Sequence, residues 1–225
     1  MNQETFEPVY NVIKTNNGGG GTLKIAFLGN SLTLYGISEE VGWEYESGMA
    51  ASSLKNDYVH KTINKIAKTK NISVEYAIVN IAVFERNFEE FDSNSLKKLK
   101  DFNADIIIFQ LGENVAISDI EQKYEIFINK YTDLLTFFGE DIIKIVCTPF
   151  WYNKDKIYAI TKVVLNTNSF LVDLSHLDGR FDGSNYAKAE RKYDHPGVQV
   201  HPGDSGMERI SDCIFSIVNA IKGKN

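Results

Sequence analysis

Runs such as LKIAFLG (23–29), ADIIIFQLG (104–112) and IIKIVCTPF (142–150) place apolar residues side by side, so a strand built from any of them buries both faces. Such a strand needs helices on either side. The segments between them supply these, with apolar residues at helical spacing over 49–68, 89–101, 119–138, 154–167 and 204–222. VEYAIVNIAV (74–83) and SFLVDLS (169–175) complete a set of five strands. The pattern predicts an α/β fold, a flavodoxin-like, doubly wound five-stranded parallel sheet with helices on both faces. A chain of 225 residues fits one such domain over 23–225, preceded by a flexible segment over 1–22.

Charge and composition narrow the function classes. Thirty acidic against 24 basic residues give a net charge of -6 with no basic stripe, which argues against nucleic acid as a partner. No apolar run approaches the length of a membrane span. Two cysteines, Cys147 in an apolar run and Cys213 in an amphipathic one, predict buried free thiols and no disulfide scaffold. The opening residues carry early acids and no apolar core of a leader, which predicts a cytoplasmic location, or a secreted one if the N-terminus was trimmed. The Gly18–Gly21 run precedes a strand and lacks a following Lys-Ser or Lys-Thr, so it is not a phosphate loop.

In a parallel sheet the ligand site lies beyond the carboxyl ends of the strands. Here the apolar runs end in Gly29-Asn30-Ser31 and Gly112-Glu113-Asn114, the second strand passes Asn80 and leads to Glu85-Arg86, and a late loop holds His201-Pro202-Gly203-Asp204-Ser205-Gly206. Serine, asparagine and histidine therefore converge on one rim. A serine hydroxyl becomes a nucleophile when a histidine takes its proton, and the oxyanion that forms needs fixed N–H donors. Ser31, His201 and Asn114 fit those roles. Asn30 is read as local turn chemistry, since asparagine bonds its own backbone in tight turns.

These blocks resemble the SGNH, or GDSL-type, serine hydrolases, from about residue 23 to the C-terminus. Gly29-Asn30-Ser31 matches the Gly-Asp-Ser block, with Asn30 in place of the acid. Gly112-Glu113-Asn114 matches the Gly-x-Asn block, and His201-Pro202 with Gly206 matches the block of the histidine. The resemblance implies a serine ester hydrolase without metal or cofactor, with an oxyanion hole drawn from Ser31, Glu85 and Asn114. It also implies a glycan or other small ester as substrate. Sugar O-acetylesterases are common in the family, which makes a carbohydrate deacetylase the leading expectation. A lysophospholipase, an acyl thioesterase, an O-acetyltransferase and a non-catalytic glycan-binding relative are the alternatives.

Two positions depart from the family pattern. Glu85 stands where the second block has glycine, so its N–H is expected to serve the oxyanion with the side chain turned away. Val198 stands where the family has the acid three residues before the histidine. Asp194 is one replacement, reachable through a turn at Pro196-Gly197; a backbone carbonyl within 198–200 is the favoured one, leaving a Ser-His dyad. Asp204 is expected to cap the last helix. His195 competes with His201 as the base but lacks the downstream glycine, and a metal site from His195, His201 and Asp204 matches no usual ligand spacing. His60 falls in the helix over 49–68 and is expected to be a packing or surface residue, not a ligand. Trp43, Tyr45, Trp151 and Tyr152 read equally as walls for a sugar ring or as packing over the sheet edge. A histidine base predicts an acidic activity limb near neutral pH.

Overall fold

The computed structural model describes residues 9–16 and 20–221. Its elements, in chain order, are β1 (Val9–Asn16), β2 (Gly20–Gly29), α1 (Tyr58–Lys70), β3 (Ile72–Asn80), α2 (Ala82–Arg86), α3 (Lys97–Phe102), β4 (Ile106–Gln110), α4 (Ile117–Gln122), α5 (Tyr124–Phe137), β5 (Ile143–Cys147), α6 (Lys154–Thr167), β6 (Phe170–Val172), α7 (Pro196–Gln199) and α8 (Asp204–Ala220). The sheet order is β1-β3-β2-β4-β5-β6. From β3 to β6 all neighbours are parallel, which is the expected five-stranded doubly wound sheet.

The sixth strand corrects the expectation of a flexible segment over 1–22. Residues Val9–Asn16 pair antiparallel with β3, and β2 already begins at Gly20. The physical reason is the edge of β3, whose unpaired N–H and C=O groups β1 satisfies. The rest of that segment, including part of the glycine run, lies outside the described residues.

Alternation along each strand divides the core in two. Ala26, Leu28, Val79, Ile107, Phe109 and Val146 face α3, α5 and α6, while Ile25, Phe27, Ile78, Ile108, Ile145 and Cys147 face α1 and α8. Asparagine ends three of the helices: Asn71, Asn103 and Asn168 take left-handed φ values of 51°, 54° and 49°. The expected helix over 49–68 starts only at Tyr58, because the Asp57 carboxylate accepts from His60 N and fixes the N-terminus there. That spares 49–57 as loop beside the site. Of the two free thiols Cys147 is buried and Cys213 half-buried. Among the described residues no helix is long and apolar enough to cross a membrane.

Strand order reverses between β2 and β4, since the chain moves from β2 to β3 on one side and then to β4 on the other. In register, Gly29 lies opposite both Asn80 and Gln110. The turns after β2 and β4 therefore open side by side at the crevice of the sheet.

Candidate active site

Ser31 owes its position to a turn that only a few residues permit. Asn30 O accepts from Thr33 N and Leu34 N, both at 3.0 Å, and Asn30 Oδ1 accepts from Leu32 N at 3.0 Å. The chain folds so tightly that a Cβ on Gly29 would lie 1.8 Å from Thr33 Oγ1. Asn30 is thus the turn residue the sequence predicts. Its amide also reaches inward, donating to Glu85 Oε1 at 3.0 Å. Ser31 O accepts from Met49 N at 2.8 Å, which ties the long loop before α1 to the nucleophile turn.

Ser31 Oγ lies 2.9 Å from His201 Nε2, and His201 Nδ1 lies 2.7 Å from Gly197 O. A carbonyl only accepts, so Nδ1 carries the hydrogen and Nε2 presents its lone pair to the serine hydroxyl. The orienting group is a backbone carbonyl, as the dyad reading expects, but it belongs to Gly197 and not to the 198–200 stretch. The helical turn α7 explains both facts. It aims the Gly197 carbonyl at the ring and buries Val198 among Trp43, Met49, Ala50 and Ala187. An acid at 198 would point into that apolar cluster. The edge of Trp151 meets the His201 ring at a centroid distance of 5.1 Å, held by Nε1 donating to Val200 O at 3.2 Å. Burial pushes His201 down to about 4; the Gly197 carbonyl opposes this and His195 adds to it.

The other acids and histidines fall elsewhere. Asp194 is exposed. His195 caps α7, its Nδ1 accepting from Gly197 N at 3.2 Å. Asp204 does not cap α8; the Glu190 carboxylate does, accepting from Asp204 N and Ser205 N at 2.8 and 2.7 Å. The Asp204 carboxylate instead holds Ser52 N at 2.8 Å and Arg191 at 3.1 Å. Having gone to these partners, His195, His201 and Asp204 do not form a common set of ligands. His60 is buried, its Nδ1 2.8 Å from Asp57.

Asn114 follows Gly112, whose φ of 122° demands glycine. Beneath it lies the largest departure from expectation. The Glu85 side chain turns inward and is fully buried. Its Oε1 accepts from Gly112 N at 2.5 Å and its Oε2 from Asn114 Nδ2 at 2.5 Å. Glu85 therefore brings its carboxyl into the site, where the sequence reading expects the side chain to turn away. The short α2 opens with Phe84 N donating to Ile81 O at 2.8 Å. Among the described residues neither the Ser31 nor the Glu85 N–H has an acceptor, which leaves these two and the second Asn114 N–H as candidate oxyanion donors.

Glu113 is a second, half-buried acid that the sequence reading passes over. Its Oε1 accepts from Phe150 N at 2.6 Å and from Gln110 Nε2 at 2.9 Å, and Lys156 Nζ donates to its main-chain oxygen at 3.0 Å. Burial raises Glu113 to about 8, against the Phe150 N–H and with the charge of Glu85 adding to the rise. Burial raises Glu85 too, opposed by the amides of Asn114, Gly112 and Asn30. The signal was present in sequence: two acids, Glu85 and Glu113, stand where apolar strands end.

Of the four aromatic residues, Trp43 is only 2% exposed and packs, whereas Tyr45 and Tyr152 are 48% and 43% exposed. Trp151 is half-buried against His201.

No protein-family model matches the chain, and no curated protein matches it in sequence. Solved structures do. A family 3 carbohydrate esterase of Clostridium thermocellum aligns with TM-score 0.57 at 15% identity over 90% of this chain and all of its own. A GDSL-like lipase of Parabacteroides merdae gives 0.56 at 16% over 88% and 95% of the two chains, and a Geobacillus acetyl-xylooligosaccharide esterase 0.52 at 12% over 93% and 98%. The chain has the fold of these carbohydrate esterases and GDSL-like lipases.

Proposed function

We propose that the protein is a serine ester hydrolase that removes acetyl groups from a carbohydrate. The observation that carries the chemistry is the Ser31 Oγ to His201 Nε2 distance of 2.9 Å, with Nδ1 locked on Gly197 O. Nε2 takes the hydroxyl proton as Oγ attacks the acyl carbon, and the oxyanion settles on the Ser31, Glu85 and Asn114 N–H groups. The imidazolium then returns its proton to the leaving sugar oxygen. Water, activated by the same nitrogen, releases acetate from Ser31. Since burial holds His201 down to about 4, the ring is neutral and ready throughout the neutral range.

The acetyl-sugar assignment is supported by the solved neighbours, which include an acetyl xylan esterase, an acetyl-xylooligosaccharide esterase and family 3 carbohydrate esterases. Exposed Tyr45 and Tyr152 offer ring faces of the kind that stack on sugars. A fluorophosphonate should label the wild type on Ser31 and leave Ser31→Ala unlabelled. Acetylated xylo-oligosaccharides should be turned over faster than long-chain p-nitrophenyl esters. An intact, folded protein that neither labels nor hydrolyses would end the esterase reading, and a preference for long acyl chains would end the carbohydrate one.

A further inference from the structure

Glu85 bonds to both halves of the crevice. Its carboxyl accepts from Asn30 Nδ2 on the turn that carries the nucleophile, and from Gly112 N and Asn114 Nδ2 on the turn that carries the oxyanion donor. Three donors and no hydrogen to give back favour the charged form of this one group. The Asn114 amide has two hydrogens; the carboxyl takes one and so fixes the plane in which the other points. Asn30 completes the logic. An aspartate there would set a second charge against Glu85, whereas the asparagine amide donates to it.

A bare charge under an oxyanion hole opposes the charge that develops above it, so the surroundings matter. The titratable groups around this pocket are Glu113 on the β4 turn, Lys156 from α6 and Tyr131 from α5, with the Cys147 thiol on the other face of β5. Lys156 is buried and lies on the main-chain oxygen of Glu113. Burial pushes up both Tyr131 and Cys147, which keeps them neutral. We infer that Glu85 is the positioning residue of the oxyanion hole, clamping Asn114 and Gly112.

The kinetic part rests on the esterase reading; the structural part does not. In a proton–nitrogen spectrum of the full chain, the Asn114 side-chain pair is identified by its loss in Asn114→Ala. One of its protons should be shifted far downfield and slow to exchange in the wild type, and the shift should collapse in Glu85→Gln. An ordinary, fast-exchanging Asn114 pair in the wild type would overturn the clamp, whatever the activity. In ester hydrolysis Glu85→Gln should lower kcat by roughly ten- to a hundredfold with KM nearly unchanged. In an Asn114→Ala background the same change should cost less than about threefold, because the clamp has lost its object. Fully additive losses would refute it. A wild type without turnover or adduct counts against the esterase reading alone, and the spectrum still decides Glu85.

Discussion

Behind His201 stands a neutral carbonyl, while behind Asn114 stand two carboxyls and a lysine. In a serine triad the buried acid orients the histidine and supports the imidazolium. Here the histidine is oriented by Gly197 O and held neutral by burial, and the buried carboxyl sits under Asn114 instead. Orientation and charge support, usually joined in one residue, are separated. The base end relies on a backbone carbonyl, and the oxyanion end on the carboxyl of Glu85.

The largest effects should come from breaking the base end. His201→Ala and Ser31→Ala should each lower kcat at least about a thousandfold, and the double variant should be no worse than either, since the two act as a unit. Additive losses would mean that Ser31 and His201 do not share a proton. Asn114→Ala should follow, with kcat down roughly a hundredfold and KM within about twofold. A change confined to KM would make Asn114 a substrate contact instead of an oxyanion donor.

An acid can be returned to the family's position, and the comparison says it should fail. Val198 is 1% exposed within an apolar cluster, so Val198→Asp would bury an unpaired carboxyl there instead of meeting His201. The expected result is a loss of about 3 kcal/mol or more of stability, read as a lowered Tm, with no gain in kcat. A faster, stable variant would show that α7 can turn to build a triad.

The two ends also answer to pH with opposite sign. His201 lies below its ordinary 6.5, so its contribution to stability is full above 6.5 and is lost as pH falls through about 4. Glu113 lies above its ordinary 4.5, so its contribution is full below 4.5 and is lost as pH rises through about 8. Between 4.5 and 6.5 the slopes oppose one another. From 6.5 to 8 only the Glu113 loss remains, and Tm should fall there in the wild type but not in Glu113→Gln. Identical Tm profiles would place the Glu113 carboxyl in water.

What the sequence discloses follows from how local each feature is. Ser31, Asn114 and His201 were legible because each ends an apolar run or opens a helix in a recognisable order, and the five parallel strands were legible from their two-sided burial. The inward turn of Glu85 was not, since it depends on α2 crossing the end of β4, two elements that meet only in the folded sheet. The edge strand β1 escaped because VYNVIKTN is half polar and its pairing with β3 is long-range. The helix start was misplaced because MAASSL has helical apolar spacing, while Asp57 decides where the first turn closes. Gly197 was missed by one residue: an extended chain predicts a carbonyl beyond Val198, and the α7 turn brings the earlier one to the ring.

The smallest effect expected is that of Asp194→Asn, and it tests the base end most selectively. Asp194 was the acid within reach if the chain folded back at Pro196-Gly197. The chain does fold there, but the turn presents Gly197 O at 2.7 Å from Nδ1 and leaves Asp194 exposed. An exposed carboxylate is screened by solvent and cannot choose the tautomer of a ring whose Nδ1 hydrogen is already committed. Asp194→Asn should therefore hold kcat/KM within about twofold, and the acidic limb of its pH profile should stay near 4, where burial and the Gly197 bond place His201. A loss approaching that of Ser31→Ala would show that Asp194 closes onto His201 in the working enzyme. The separation of orientation from charge would then fail at the end where it is most sharply drawn.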